Sequence, residues 1–515
     1  MPEYLLAHDL GTSGNKATLY TPEGRLIASS TSSYPTRFFN ANWAEQEPED
    51  WWRAVCLSTT KLLAASRCAP SDVAVVALSG QMMGCTPVDR LGNALRPSIL
   101  YCDQRAVPQT GQILARLPMA RFYGIVGHRA SQVYSLEKLM WIRDNQPDVF
   151  ARTFQTLCAK DYINCRLTGR MATDYSDASG TNAFDLNTFR WSEEILDAAG
   201  IAADLFPEAL PSTTILGTIT ADAARQTGLL EGTPVAAGGG DGSCAGVGAG
   251  CIRPGIAYHY LGSSAWIALT VKKPIVDDRM RTMNWAHCVP GYLHPSGSVQ
   301  SAGSTHNWLK ETLCRQEADQ AAALGGDVYD LIDRAVAGTP AGSNGLLFLP
   351  YMLGERTPWW NPNARGTFLG LNLGTRREDM LRAVLEGITM NLGLIVDIFR
   401  SHVPIDSVIA IGGGARSGVW RQMMADVFGC RIDSLNVLEE ATSMGAAVVG
   451  GVAVGLFPDF DAIHRFVHVE ESVSPDPVSR DRYARLLLVF EKAYLSLVDV
   501  YDDLAKVTHE IRSGN

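Results

Sequence analysis

The sequence predicts an α/β protein built as two large domains. Short apolar runs end in glycine turns, and helical periodicity resumes after two of those turns. A strand–turn–strand pattern at the start of the chain also returns near residue 255. The length of 515 residues exceeds one typical core and allows about three domains of average size or two large ones.

The elements follow in order. Residues 4–8 form a short apolar run, and Asp9-Leu10-Gly11-Thr12-Ser13-Gly14 reads as a turn. Residues 16–20 and a second turn at Thr21-Pro22-Glu23-Gly24 complete a pair of antiparallel strands. Residues 73–78 run into Ser79-Gly80-Gln81. Residues 135–145 have the spacing of an amphipathic helix. Residues 234–237 run into Gly238-Gly239-Gly240-Asp241-Gly242-Ser243, where another helix should begin. Residues 256–260, Leu261-Gly262-Ser263-Ser264 and residues 265–271 repeat the opening design. A second amphipathic helix is expected over 379–399. Residues 408–411 then run into Gly412-Gly413-Gly414-Ala415-Arg416-Ser417, with a helix starting near Ser417. Residues 480–507 read as a terminal helical region. The division is placed between 1–245 and 246–515.

Composition narrows the function. Hydrophobic residues make up 46% and charged residues 19%, the balance of a globular protein in water. A net charge of −10 without a basic run argues against a nucleic-acid partner. The eleven cysteines contain no Cys-x-x-Cys pair, which suggests reduced thiols. Glu3, His8 and Asp9 interrupt the first apolar run, so no signal peptide is expected there. No apolar stretch reaches the length of a membrane span, and a cytoplasmic protein without a membrane partner is expected.

Three glycine turns carry candidate chemistry. Phosphoryl transfer needs backbone N–H donors around phosphates, a divalent cation and a group that orients the attacking hydroxyl. Asp9 stands at a strand end, where its carboxylate would face hydrated Mg²⁺ while Gly11, Thr12 and Ser13 offer donors to phosphate. An aspartate that only shapes a turn explains the same residue. Asp241 lies between glycines and is a candidate base for a hydroxyl proton. A helix N-cap by Asp241 or Ser243 is the competing reading. Gly412, Gly413 and Gly414 would let adenine and ribose lie against the backbone, or simply make a tight strand-to-helix turn. No Walker A loop and no full G-x-G-x-x-G occurs.

These residues resemble the FGGY family of carbohydrate kinases, within the actin-like superfamily. The resemblance covers nearly the whole chain. It rests on Asp9-Leu10-Gly11-Thr12-Ser13, Trp43-Ala44-Glu45-Gln46-Glu47-Pro48 and Lys138-Leu139-Met140-Trp141-Ile142-Arg143-Asp144-Asn145. It continues in Leu353-Gly354-Glu355-Arg356-Thr357-Pro358, Gly366-Thr367-Phe368-Leu369-Gly370-Leu371, Asp379-Met380 and Ala383-Val384-Leu385-Glu386. It implies two actin-like (ribonuclease H-like) domains with an interdomain active-site cleft, and ATP and Mg²⁺ as cofactors. By resemblance, Asp9 and Asp241 lie at the metal and Asp241 is the base. Gly262, Ser263 and Ser264 form the second phosphate loop, and Gly412, Gly413, Gly414 and Ser417 lie beside the nucleotide. Sugar contacts would come from Gln81, Met82, Met83, Asp103, Asp241 and Gly242.

Within the family the pattern is most similar to xylulokinases, which implies conversion of D-xylulose to D-xylulose 5-phosphate. Two positions depart, since xylulokinases usually carry His where this chain has Met83 and Asn where it has Gly242. Both changes remove a polar group at an expected sugar contact. Gluconokinases often carry Asp-Gly at the second position, so a sugar acid or polyol is the alternative acceptor. A non-transferring actin-like ATP-binding sensor would need neither Asp241 nor Asp103. The expected partner is a small-molecule sugar, with a homodimer left open.

Overall fold

The structure is a computed structural model and describes residues 3–437 and 440–513. Strands β1 (Tyr4–Leu10) and β2 (Gly14–Tyr20) form the expected antiparallel hairpin, with Asp9 opposite Lys16. β3 (Leu26–Ser33) extends it, and helix α1 (Pro48–Ser66) packs over one face through Trp51, Val55 and Leu62. β4 (Val73–Gly80) lies parallel to β1 on its other side. Both faces of β1 and β4 are covered, so both strands are largely apolar along their length. His8 and Asp9 are the exceptions within β1, and His8 is fully buried. Burial lowers its pKa to about 4, and the neutral ring is held by Asn15 Nδ2 at 3.0 Å.

Helix α2 (Ser135–Asn145) has the predicted bounds but not the predicted amphipathic character. Residues 135–142 are all buried, because the polar side chains find internal partners instead of water. Asn182 Nδ2 donates to Glu137 Oε1, and Lys138 Nζ donates to the Met83 and Val133 carbonyls. β5 (Ile215–Thr218), β6 (Pro234–Ala236) and β7 (Gly239–Gly240) complete the first sheet, and α3 (Asp241–Gly248) starts on the next residue.

The second sheet opens with the antiparallel pair β8 (Ala257–Leu261) and β9 (Ala265–Leu269), followed by β10 (Ser296–Val299). Then come α4 (Arg377–Arg400), β11 (Ser407–Ile411), α5 (Gly418–Phe428), β12 (Arg431–Leu435) and α6 (Ala441–Ala453). β13 (Val469–Val473) and α7 (Pro477–Ser513) end the chain; α4 and α7 both extend beyond their predicted bounds. No described helix is long and apolar enough to cross a membrane.

The two sheets repeat one plan. The first runs β5-β6-β4-β1-β2-β3 and the second β13-β12-β11-β8-β9-β10. In both, successive pairings are antiparallel, parallel, parallel, antiparallel and antiparallel. Sequence pattern pointed only to the matching hairpins.

Helices α3 and α6 pack together between the sheets. One buried cluster joins Leu5, Ala7 and Ala77 of the first sheet to Val247 of α3, Val448 of α6 and Tyr258 of the second sheet. The helix backbones nearly touch. A Cβ on Gly445 would stand 1.9 Å from the Cys244 carbonyl oxygen, and one on Gly248 would stand 1.8 Å from that of Ala441. Gly445→Ala should therefore destabilise the protein by roughly 1–3 kcal/mol, the usual range for overpacking. Thermal unfolding reads this out, and an unchanged melting temperature would refute the close crossing.

Candidate active site

The parallel register brings three strand ends to one edge. Asp9 pairs with Ser79 between β1 and β4, and Gly239 and Gly240 of β7 pair with Ser79 and Gly80. The carboxyl ends of parallel strands form the crevice where ligands bind in such sheets. Asp9 ends one strand there, and Asp241 follows directly after another.

Burial raises both aspartates. Burial pushes the Asp241 carboxyl up to about 7, and the nearby charge of Asp9 adds to this. Its carboxylate accepts from the Gly242 N–H at 2.7 Å. Burial also raises Asp9, against the hydroxyls of Thr442 and Ser79 and the charge of Lys16. Thr442 Oγ1 donates to Asp9 Oδ2 at 2.7 Å from α6, so the second half of the chain helps hold it. Two buried carboxylates, one raised further by the charge of the other, suit a hydrated Mg²⁺, which takes one or two carboxylates and completes its shell with water and phosphate.

The hairpin tips match each other. Gly11 N–H closes on the Gly14 carbonyl at 3.0 Å, and Gly262 N–H closes on that of Ser264 at 3.0 Å. In both tips one serine, Ser13 or Ser263, is exposed. Ala302, Gly303 and Ser304 amides pin the second tip through the Gly262 and Ser263 carbonyls. The third glycine turn packs closely against the second sheet. A Cβ on Gly412 would lie 2.7 Å from the Leu261 carbonyl oxygen, and one on Gly414 would lie 1.5 Å from Leu261 Cδ2. Packing against β8 thus accounts for both glycines, and Gly413 alone of the three faces open space. A short 3₁₀ turn (Gly413–Arg416) intervenes before α5. Ser417 caps that helix, its Oγ accepting from Trp420 N–H at 3.0 Å.

Beside these turns lies a cavity of about 600 Å³, lined from both halves of the chain. It brings together Thr12, Met82, Met83, Asp241, Gly242 and Ser264. Met83 has a left-handed backbone (φ 63°), and Lys138 Nζ donates to its carbonyl at 2.8 Å. Asp9, Gly11, Ser13, Gly262, Ser263, Gly412, Gly413, Gly414 and Ser417 do not line it.

Two expected sugar contacts stand behind the wall. Gln81 Nε2 donates to Gln46 Oε1 at 2.9 Å, and Gln46 in turn donates to the Thr12 carbonyl. Asp103 is fully buried, and its oxygens accept from the Ala44 amide and from the amide, Nε and Nη2 of Arg105. A carboxylate so occupied fixes the loop, while its neighbours Tyr101 and Gln104 reach the cavity. Tyr101 OH accepts from Thr12 Oγ1 at 3.3 Å. Sequence reasoning missed Arg129, Trp285, Arg356 and Trp360 as lining residues. Arg356 sat inside a family-like run, but Arg129 offered no signal.

Comparison with known proteins agrees with this geometry. The N-terminal domain of the FGGY family of carbohydrate kinases matches residues 4–248, and the C-terminal domain matches residues 257–454. The chain is 30% identical to the xylulose kinase of Bacillus subtilis, covering 97% of this chain and 98% of that protein. It is also 30% identical to the gluconokinase of the same organism, covering 98% of each. The crystal structure of ligand bound xylulose kinase from Lactobacillus acidophilus superposes with a TM-score of 0.89 at 26% identity, covering 97% of this chain and 99% of that one. Family models spanning both halves, two sheets of one plan and a shared cavity lead to one conclusion: the chain belongs to the FGGY family of carbohydrate kinases, enzymes that phosphorylate small-molecule sugars from ATP.

Proposed function

We propose that the chain transfers the γ-phosphoryl group of Mg-ATP to a hydroxyl of a five- or six-carbon acceptor held in the 600 Å³ cavity. One observation carries the reading. Asp241 lines that cavity together with both hairpin tips, and its carboxyl is raised to about 7, close to the operating range of a general base.

Each residue has a role in this reading. Asp241 takes the acceptor's proton as the new P–O bond forms. Backbone donors at Gly11, Thr12, Ser13, Gly262, Ser263 and Ser264 cradle the phosphates. Gly413 offers the open backbone for the nucleoside, with Gly412, Gly414 and Ser417 shaping that turn. Asp9 and Asp241 would hold Mg²⁺, which supplies neutralisation of phosphate charge when bound. Met82, Met83 and Gly242 form the less polar side of the acceptor pocket, and Gln81 and Asp103 support it from behind. D-xylulose, giving D-xylulose 5-phosphate, is supported by the relatives named xylulose kinase. A sugar acid is supported to the same identity by the gluconokinase.

Asp9→Ala tests the arrangement. It should fold and lose about 10²–10³-fold in kcat, the usual loss when a charge-stabilising element is removed. Coupled ADP release with a panel of pentuloses, hexonates and polyols reads this. Near wild-type turnover at saturating Mg-ATP would sink the assignment.

A further inference from the structure

The cavity carries more positive charge than a neutral sugar needs. Arg129 and Arg356 both line it, from opposite halves of the chain. Among the described residues neither guanidinium has a hydrogen-bond or ion-pair partner. Arg129 lies with its Cζ 5.8 Å from the Trp360 ring centroid, and the Trp360 amide donates to the Arg356 carbonyl. The three residues thus belong to one wall. The indole N–H of Trp360 is buried there without a partner.

The cavity's own acids do not answer this charge. Among the described residues only Asp241 and Glu355 line it. Asp241 is the base at the tips. Glu355 has both oxygens engaged, accepting from the amides of Gln300 and Arg356 and from Asn391 Nδ2. Burial also raises the Glu355 carboxyl to about 8, which weakens its charge at neutral pH. Two unpaired guanidinium groups beside an unsatisfied indole donor are poor company for a neutral polyol. They suit a planar carboxylate, which accepts paired N–H donors from arginine.

We propose that Arg129 and Arg356 form a carboxylate subsite, so that the acceptor is an open-chain sugar acid and its phosphorylated product a phospho-sugar acid. This rests on the kinase reading above and names its substrate class. Neither arginine belongs to a hairpin tip, although Thr12 and Ser264 of the tips line the same cavity. The Met82 and Met83 side of the cavity is left for the carbon chain.

The experiment compares D-gluconate with D-glucitol, which has the same chain and a neutral end, and with D-xylulose. Wild-type kcat/KM should favour gluconate over glucitol and xylulose by about tenfold or more. Arg129→Met and Arg356→Met should each lower kcat/KM for gluconate by at least about tenfold, the scale of a lost charge-assisted hydrogen bond. The same variants should leave glucitol within about threefold and KM for ATP unchanged, and Arg129→Lys should recover part of the loss. Calorimetric titration with D-gluconate reads the subsite without turnover, so a failure of the kinase reading is separable from a failure of the subsite. A wild type that prefers the neutral acceptors and does not bind gluconate overturns the proposal. So do variants that lose acid and neutral acceptors alike, or that raise KM for ATP.

Discussion

Asp241→Asn should lower kcat by about 10²–10⁴-fold, or roughly 3–5 kcal/mol of barrier, the usual contribution of a general base. Affinity for ATP and acceptor should change little, because the amide keeps the shape and can still hydrogen-bond. The substitution separates two roles of one residue. An aspartate that only starts a helix is replaced well by asparagine, and α3 does begin at Asp241. Its electrostatics argue for more than capping. Among the described residues the carboxylate accepts only from its neighbour Gly242, and burial together with the Asp9 charge raises it to about 7. The raised value also sets a pH signature. The charged base is lost as pH falls through that value, so kcat/KM should decline about tenfold per pH unit below it. The residual activity of Asp241→Asn should lack this limb. A folded variant that keeps more than about a tenth of wild-type kcat would show that Asp241 is not the base.

The fold was legible in sequence where periodicity and glycine coincide. The hairpins at residues 4–20 and 256–271, the strand ending at Gly80 and the helix after Gly240 all declare themselves locally. What sequence hid is what depends on partners distant in the chain. Residues 135–145 look amphipathic because Glu137 and Lys138 are charged, yet Asn182 and the Met83 carbonyl let both be buried. Gly412 and Gly414 look like ligand-facing glycines, yet Leu261, about 150 residues earlier, is what requires them. Asp103 sits in a family-like context, yet Arg105 and Ala44 occupy its oxygens. Arg129 had no motif, and only the closing of two halves around one cavity gives it meaning.

Removal of the Lys160 charge has the largest expected effect on stability. The Lys160 ammonium is fully buried and lies 2.5 Å from Asp161 Oδ1, 3.1 Å from Asp174 Oδ1 and 3.2 Å from Asp177 Oδ2. Burial alone would lower its pKa, but the three carboxylates outweigh that and hold it well above its ordinary value. Burial pushes Asp177 well above the usual carboxylate range, which favours its protonated form and brings the cluster closer to neutrality. Lys160→Met keeps the length and removes the cation that the three carboxylates share. Breaking a buried pair in this way costs about 3–5 kcal/mol, because the remaining charges stay unpaired in low dielectric. Lys160→Met combined with Asp177→Asn should recover part of the loss, since fewer acids then need compensation. The cluster also reaches the active site. Asp174 Oδ2 accepts from Ser176 Oγ, and Ser176 Oγ accepts from the Gly240 amide at 2.8 Å, one residue before Asp241. Lys160→Met should therefore lower kcat below its melting temperature as well as lowering that temperature, although no part of Lys160 lines the cavity. A loss of stability under about 1 kcal/mol, the worth of an exposed pair, would mean that water reaches these charges and that the anchor of Asp241 lies elsewhere.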